Sequence, residues 1–176
     1  MTKTNKKGFT IIEVVLVLAI AGLIFLMVFI ALPALQRSQR NTRRRQDMAR
    51  ILSAFNDYSS NNNGKMPLPA DKTKKASVSY GGSDDASLKA FMNRYIGDEN
   101  SEQRMDPDGT KYKLGFRPAP TKEASHGENK LNHTIYYFIN ASCSDTEGNV
   151  KPGKGEREIA IFYNLEGGAV YCGDNS

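Results

Sequence analysis

The hydrophobic pattern changes character twice along the chain. From Val14 to Leu35 no residue is charged, and fifteen of the 22 positions are Val, Ile, Leu or Phe. At 1.5 Å per residue this run is about 33 Å long, the thickness of a bilayer's hydrocarbon. On an insertion scale the fifteen contribute roughly −4.5 to −9 kcal/mol, more than the ~3 kcal/mol that Glu13 could cost. Beyond Leu35 the pattern becomes one-sided. Met48, Ile51, Leu52, Phe55 and Tyr58 recur at helical spacing, while arginines, Gln39 and Gln46 occupy the other faces. Asn61-Asn62-Asn63-Gly64 then supplies residues that tolerate the left-handed backbone of a helix end. The pattern predicts one helix from Phe9 to Asn61, about 80 Å long, with an apolar half and an amphipathic half.

After a polar loop from Asn62 to about Ser83 the periodicity shortens. Leu88, Phe91, Met92, Tyr95 and Ile96 predict a brief helix, with Asp84 or Asp85 near its start and Gly97 after it. Alternating and β-branched runs at 111–116, 134–140, 158–165 and 169–172 predict strands, the last two joined by a hairpin over Glu166-Gly167-Gly168. The fold class expected is α+β: a long N-terminal helix packed on an antiparallel C-terminal sheet. The divisions expected are a leader at 1–8, an apolar helix at 9–35, its amphipathic continuation at 36–61, and a globular head at 62–176.

Charge follows the same divisions. The formal net charge is +5 over 176 residues. Residues 1–36 carry Lys3, Lys6 and Lys7 against Glu13; residues 37–50 carry six arginines against Asp47; the remaining 126 hold 15 basic and 17 acidic groups. The basic character therefore belongs to the leader and the helix, and the head is close to neutral. The two cysteines, Cys143 and Cys172, have no ligand-spaced neighbours of the kind zinc requires. A disulfide formed in an oxidising compartment is the expectation, closing a loop that contributes roughly 3.6 kcal/mol by chain entropy. Nothing in the sequence calls for a cofactor or a bound metal. His126 and His133 sit in polar surroundings, and no serine lies in a nucleophile elbow, so catalysis is not expected.

Lys6-Lys7-Gly8-Phe9-Thr10-Ile11-Ile12-Glu13, followed by the apolar run, resembles the signal of type IV prepilins and pseudopilins. An ordinary secretory signal places its small-residue cleavage site after the apolar stretch, whereas Gly8 lies before it. The resemblance implies the type IV pilin fold, cleavage between Gly8 and Phe9 by a prepilin peptidase, and N-methylation of Phe9. It also implies a single-pass precursor in the cytoplasmic membrane, lifted out by an assembly ATPase and a platform protein. The resulting surface filament is a helical homopolymer serving motility, adhesion or DNA uptake; the alternative is a minor pilin or pseudopilin of a secretion or competence system. Glu13, an acid in an apolar span, lies one turn from the amine that cleavage creates. In the family this glutamate meets the amine of the preceding subunit and sets register.

Other positions carry weaker expectations. Gly22 and Pro33 lie inside the apolar helix; Pro33 withdraws an N–H from its turn and is a candidate for flexibility. Arg37, Arg40, Arg43, Arg44 and Arg45 are candidates for contacts with neighbouring subunits or lipid headgroups, against the reading of a solvated face. By the positive-inside rule alone these arginines would retain this flank in the cytoplasm, which the prepilin signal contradicts. Asp106-Pro107-Asp108-Gly109-Thr110-Lys111-Tyr112 resembles a turn of pseudopilins and some pilins; local capping by the aspartates is favoured over calcium. Asn132-His133-Thr134 and Asn140-Ala141-Ser142 fit the glycosylation sequon as chance matches. Removing three lysines with the leader leaves a small positive charge, a weak signal for DNA or host-surface binding.

Overall fold

The computed structural model describes residues 8–69, 76–78, 86–98, 100–125, 131–146 and 148–176. The chain divides into two compact units, the first ending at Gln39 and the second running Arg40–Ser176. Helix α1 spans Ile11–Asn61 and its helical backbone runs without a break through Pro33.

In the first unit α1 is apolar on all sides from Val14 to Leu35, and its large side chains from Ile11 to Leu35 are exposed. Exposure of this kind on every face is stable only in an apolar surrounding. In the second unit the helix buries one face, formed by Arg44, Met48, Ile51, Ala54 and Phe55. It ends as the sequence predicts: Asn63 and Gly64 take left-handed backbone angles, and the Gly64 N–H donates to the Ser59 carbonyl at 2.8 Å.

The described residues of the head form two sheets. The larger is ordered β1-β2-β4-β7-β8, from Ala76–Val78, Lys113–Arg117, Thr134–Ile139, Ile159–Asn164 and Val170–Asp174. The smaller is ordered β3-β6-β5, from Ala124–Ser125, Asn149–Pro152 and Ala141–Cys143. The α+β class is as expected, but one detail is corrected. β2 and β4 are parallel, with Lys113 opposite Thr134, so the large sheet is mostly rather than wholly antiparallel.

Three layers result. Ile159, Ile161 and Tyr163 of β7 face the helix, with Leu114, Ile135, Tyr137 and Phe55. Ala160 and Phe162 of the same strand face the small sheet, with Tyr136, Phe138, Ala141 and Val150. A strand buried on both faces reads as an unbroken apolar run, which is how Ile159-Ala160-Ile161-Phe162-Tyr163 stands in the chain. The short helix expected at 88–96 is two pieces: α2 at Ala86–Phe91, then a π-helical turn at Met92–Ile96. Asp84 and Asp85 lie outside the described residues. Phe91 packs on Phe55 at 4.6 Å between ring centres, which closes the core under α2. Cys143 and Cys172 form the expected disulfide and tie β5 to β8, with 5.9 Å between their Cα atoms.

Candidate processing and assembly site

Gly8, Phe9 and Thr10 precede the first turn of α1. Phe9 is 90% exposed, and a Cβ placed on Gly8 would meet nothing within 4 Å. Among the described residues nothing packs over either position. Lys3, Lys6 and Lys7 lie outside the described residues.

Thr10 and Glu13 close the start of the helix. The Thr10 N–H and hydroxyl donate to Glu13 Oε2 at 2.9 and 2.8 Å, and the Glu13 N–H donates back to Thr10 Oγ1 at 3.4 Å. This is a reciprocal capping box, which satisfies backbone donors that a helix start otherwise leaves open. The Thr-x-x-Glu spacing of residues 10–13 is the sequence signal for this cap. The acid thus has a local partner while the leader is still attached.

The arginine cluster divides between two environments. Arg44 is fully buried: Nε and Nη2 donate to Asp106 Oδ2 and Oδ1 at 2.7 and 2.6 Å, and Nη1 donates to Glu166 Oε1 at 2.6 Å. Arg40 holds the same glutamate, Nε to Oε1 at 2.8 Å and Nη2 to Oε2 at 2.7 Å. Asn41 completes the grip by donating to the Glu166 carbonyl at 3.0 Å and accepting from its N–H at 3.1 Å. The expectation that Arg40 and Arg44 face neighbouring subunits or lipid is corrected: both are engaged within the chain. Arg37, Arg43 and Arg45 remain exposed.

The electrostatics follow from these bonds. The hydrogen bonds from Arg40, opposed by partial burial and reinforced by Arg44, hold Glu166 down at about 2. Burial pushes Asp106 up, but the bonds from Arg44, the Asp108 N–H and Tyr163 outweigh it and the net shift is downward. Burial raises Asp47 despite the bond it accepts from the Tyr112 hydroxyl at 3.0 Å. Burial and the neighbouring carboxylates keep Tyr112 and Tyr163 neutral, raised beyond the ordinary phenol range.

Asp106, Asp108 and His133 each place one potential ligand atom within 4.8 Å of the others. Both Asp106 oxygens already accept from Arg44, so a guanidinium stands where a cation would. The aspartates also cap their own turn: Asp106 Oδ1 accepts from the Asp108 N–H at 3.0 Å and Asp108 Oδ1 from the Thr110 N–H at 2.9 Å. His126 lies outside the described residues.

A capped helix whose large apolar side chains from Ile11 to Leu35 are exposed is long and apolar enough to cross a membrane. Residues 3–29 match the family described as the prokaryotic N-terminal methylation motif, which marks the type IV pilin and pseudopilin superfamily. The N-terminal segment of the chain is therefore prepilin-like. The motif implies processing by a prepilin peptidase and handling by an assembly machinery, and proteins of this kind are generally structural and not enzymatic. No curated protein and no solved structure matches the chain.

Proposed function

We propose that this chain is the structural subunit of a type IV pilus, cut after Gly8, methylated on Phe9 and polymerised through α1 into a surface filament. The observation that carries the reading is a coincidence of two features. The methylation motif stands at the head of a helix whose large apolar side chains from Ile11 to Leu35 find no cover among the described residues. Lipid covers them in the precursor, and the same helices of other copies cover them in the fibre. Glu13 then has a second role, as partner for the amine of a neighbouring subunit, because a charge in an apolar bundle must be matched. Gly22 and Pro33 give the apolar segment a place to yield. The head coats the fibre and carries out no chemistry of its own.

Mass spectrometry of the N-terminus, on material sheared from the cell surface, tests this directly. A chain beginning at methylated Phe9 is expected, and a surface chain that retains Met1 overturns the reading. The turn at Asp106–Thr110 favours a second reading, a minor pilin or pseudopilin, through its resemblance to pseudopilin turns. Fibres composed of this chain alone would separate the first reading from the second.

A further inference from the structure

Residues 37–50 hold six arginines and one aspartate. The head answers two of these arginines, Arg40 through Glu166 and Arg44 through Asp106 and Glu166. With those two acids set aside, residues 51–176 hold 15 groups of each sign, so the head has no net negative charge left for the others. Arg43 and Arg45 are exposed, and among the described residues neither has an ion-pair partner within 4 Å. At 100° per residue they point about 200° apart around α1, to opposite sides of the buried Arg44. A single flat partner surface meets one such side chain, whereas a layer surrounding the helix meets both.

We propose that Arg43 and Arg45 bind the anionic phospholipid headgroups of the leaflet on the head's side of the membrane while the precursor is embedded there. The proposal rests on the membrane-embedded reading of α1. Arg43 and Arg45 lie eight and ten residues past Leu35, about 12 and 15 Å along the helix axis. Helical side chains lean toward the N-terminus, here toward the apolar run, and an arginine extends over several ångströms in that direction. Both guanidinium groups thereby come within about a Debye length of the phosphates. The bond is temporary by construction, because extraction into a fibre removes the headgroups. Anionic lipid then holds the subunit at a fixed depth until the assembly machinery withdraws it.

The chain contains no tryptophan, so a single introduced one reports without background. The full chain carrying Leu32→Trp, at the headward end of the apolar run, is reconstituted in vesicles containing acyl-brominated phosphatidylglycerol or acyl-brominated phosphatidylcholine. Quenching of Trp fluorescence then measures which lipid lies next to the helix. A preference for phosphatidylglycerol is expected, roughly fivefold per arginine at low salt. It should fall by the factor those two arginines supply in the Arg43→Gln/Arg45→Gln variant, with an unchanged far-ultraviolet spectrum, and toward one in 0.5 M salt with the unaltered arginines. Equal quenching by the two lipids, or a preference undiminished by the double substitution, overturns the proposal. Quenching by neither lipid would instead overturn the membrane-embedded reading beneath it.

Discussion

Arg44 and Asp106 meet at two points, Nε on Oδ2 at 2.7 Å and Nη2 on Oδ1 at 2.6 Å, and both side chains are sealed from solvent. A two-point pair fixes orientation as well as distance. It sets the roll of the helix about its axis against the head, and Glu166, held by Arg40 and Arg44 together, anchors the β7–β8 turn to the same stretch of helix. Burial removes the hydration of both charges, so the pair gains little over an apolar contact, but either charge left alone is very costly.

Arg44→Ala is therefore expected to destabilise the head by about 3–5 kcal/mol, because it leaves Asp106 buried without its counter-ion. Arg44→Met combined with Asp106→Leu should lose less, since no lone charge remains. Urea midpoints of the full chain in detergent micelles compare the two. An Arg44→Ala midpoint equal to that of the parent would mean that the pair contributes no stability.

Acid should weaken the same junction. Glu166 titrates at about 2 in the folded chain, below its ordinary value of 4.5. A depressed folded value gives stability that is complete above about pH 5 and is lost as the pH falls toward 2. Asp106 is depressed as well and adds in the same direction. Asp47 is raised and acts in the opposite sense. Glu166→Gln isolates the contribution: the thermal midpoint of that variant should fall less between pH 5 and pH 2.5 than that of the parent.

How much of this was legible depended on the range of each signal. The long helix, its Asn-Gly end and the β7–β8 hairpin follow from local periodicity and turn chemistry, and all three stand as read. Arg44 was misassigned because a charged side chain is expected to face water. Its position was nevertheless a clue, four residues before Met48 and seven before Ile51 on the buried face of the helix. Its partner Asp106 lies 62 residues away, a distance no sequence period spans. The small sheet was missed for another reason. β3, β5 and β6 are two to four residues long, and polar loop residues surround them. The unbroken apolar run of β7 implied a second covering layer without showing what formed it. The parallel pairing of β2 with β4 depends on the path of the 118–133 connection, which carries no periodicity.

The Cys143–Cys172 bridge joins the edge strand β8 to β5 across a separation of 29 residues. Without it β8 keeps its ladder with β7 and the hydrogen bond that the Asp174 carboxylate accepts from the Cys143 N–H, but loses its covalent tie to the small sheet. Loop-closure entropy puts the loss at roughly 3–4 kcal/mol on reduction. Cys143→Ser/Cys172→Ser should show the same decrease in unfolding free energy as the reduced parent, and adding reductant to the variant should change nothing further. A reductant effect on the variant would point to a cause other than the bridge.

The capping box at the start of α1 makes it possible to separate two properties of Glu13 that a simple deletion would confuse. Its carboxylate accepts from the Thr10 N–H and hydroxyl, and it is also the charge in the first turn of an apolar helix. Glu13→Gln keeps an acceptor at the third helical position, where glutamine completes a capping box as well as glutamate does, but it removes the charge. Thr10→Val does the reverse: the side-chain cap goes, at a cost of about 1 kcal/mol, and the charge stays. If a neighbouring amine must be matched in the fibre, Glu13→Gln should lower sheared filament yield at least about tenfold, since tenfold needs only 1.4 kcal/mol. The amount of cleaved chain in the membrane should be unchanged. Thr10→Val should lower the yield only slightly. Quantifying the chain in sheared and membrane fractions tests both together. Equal losses from the two substitutions would assign the requirement to the helix cap, and a normal yield from Glu13→Gln would remove the charge from assembly altogether.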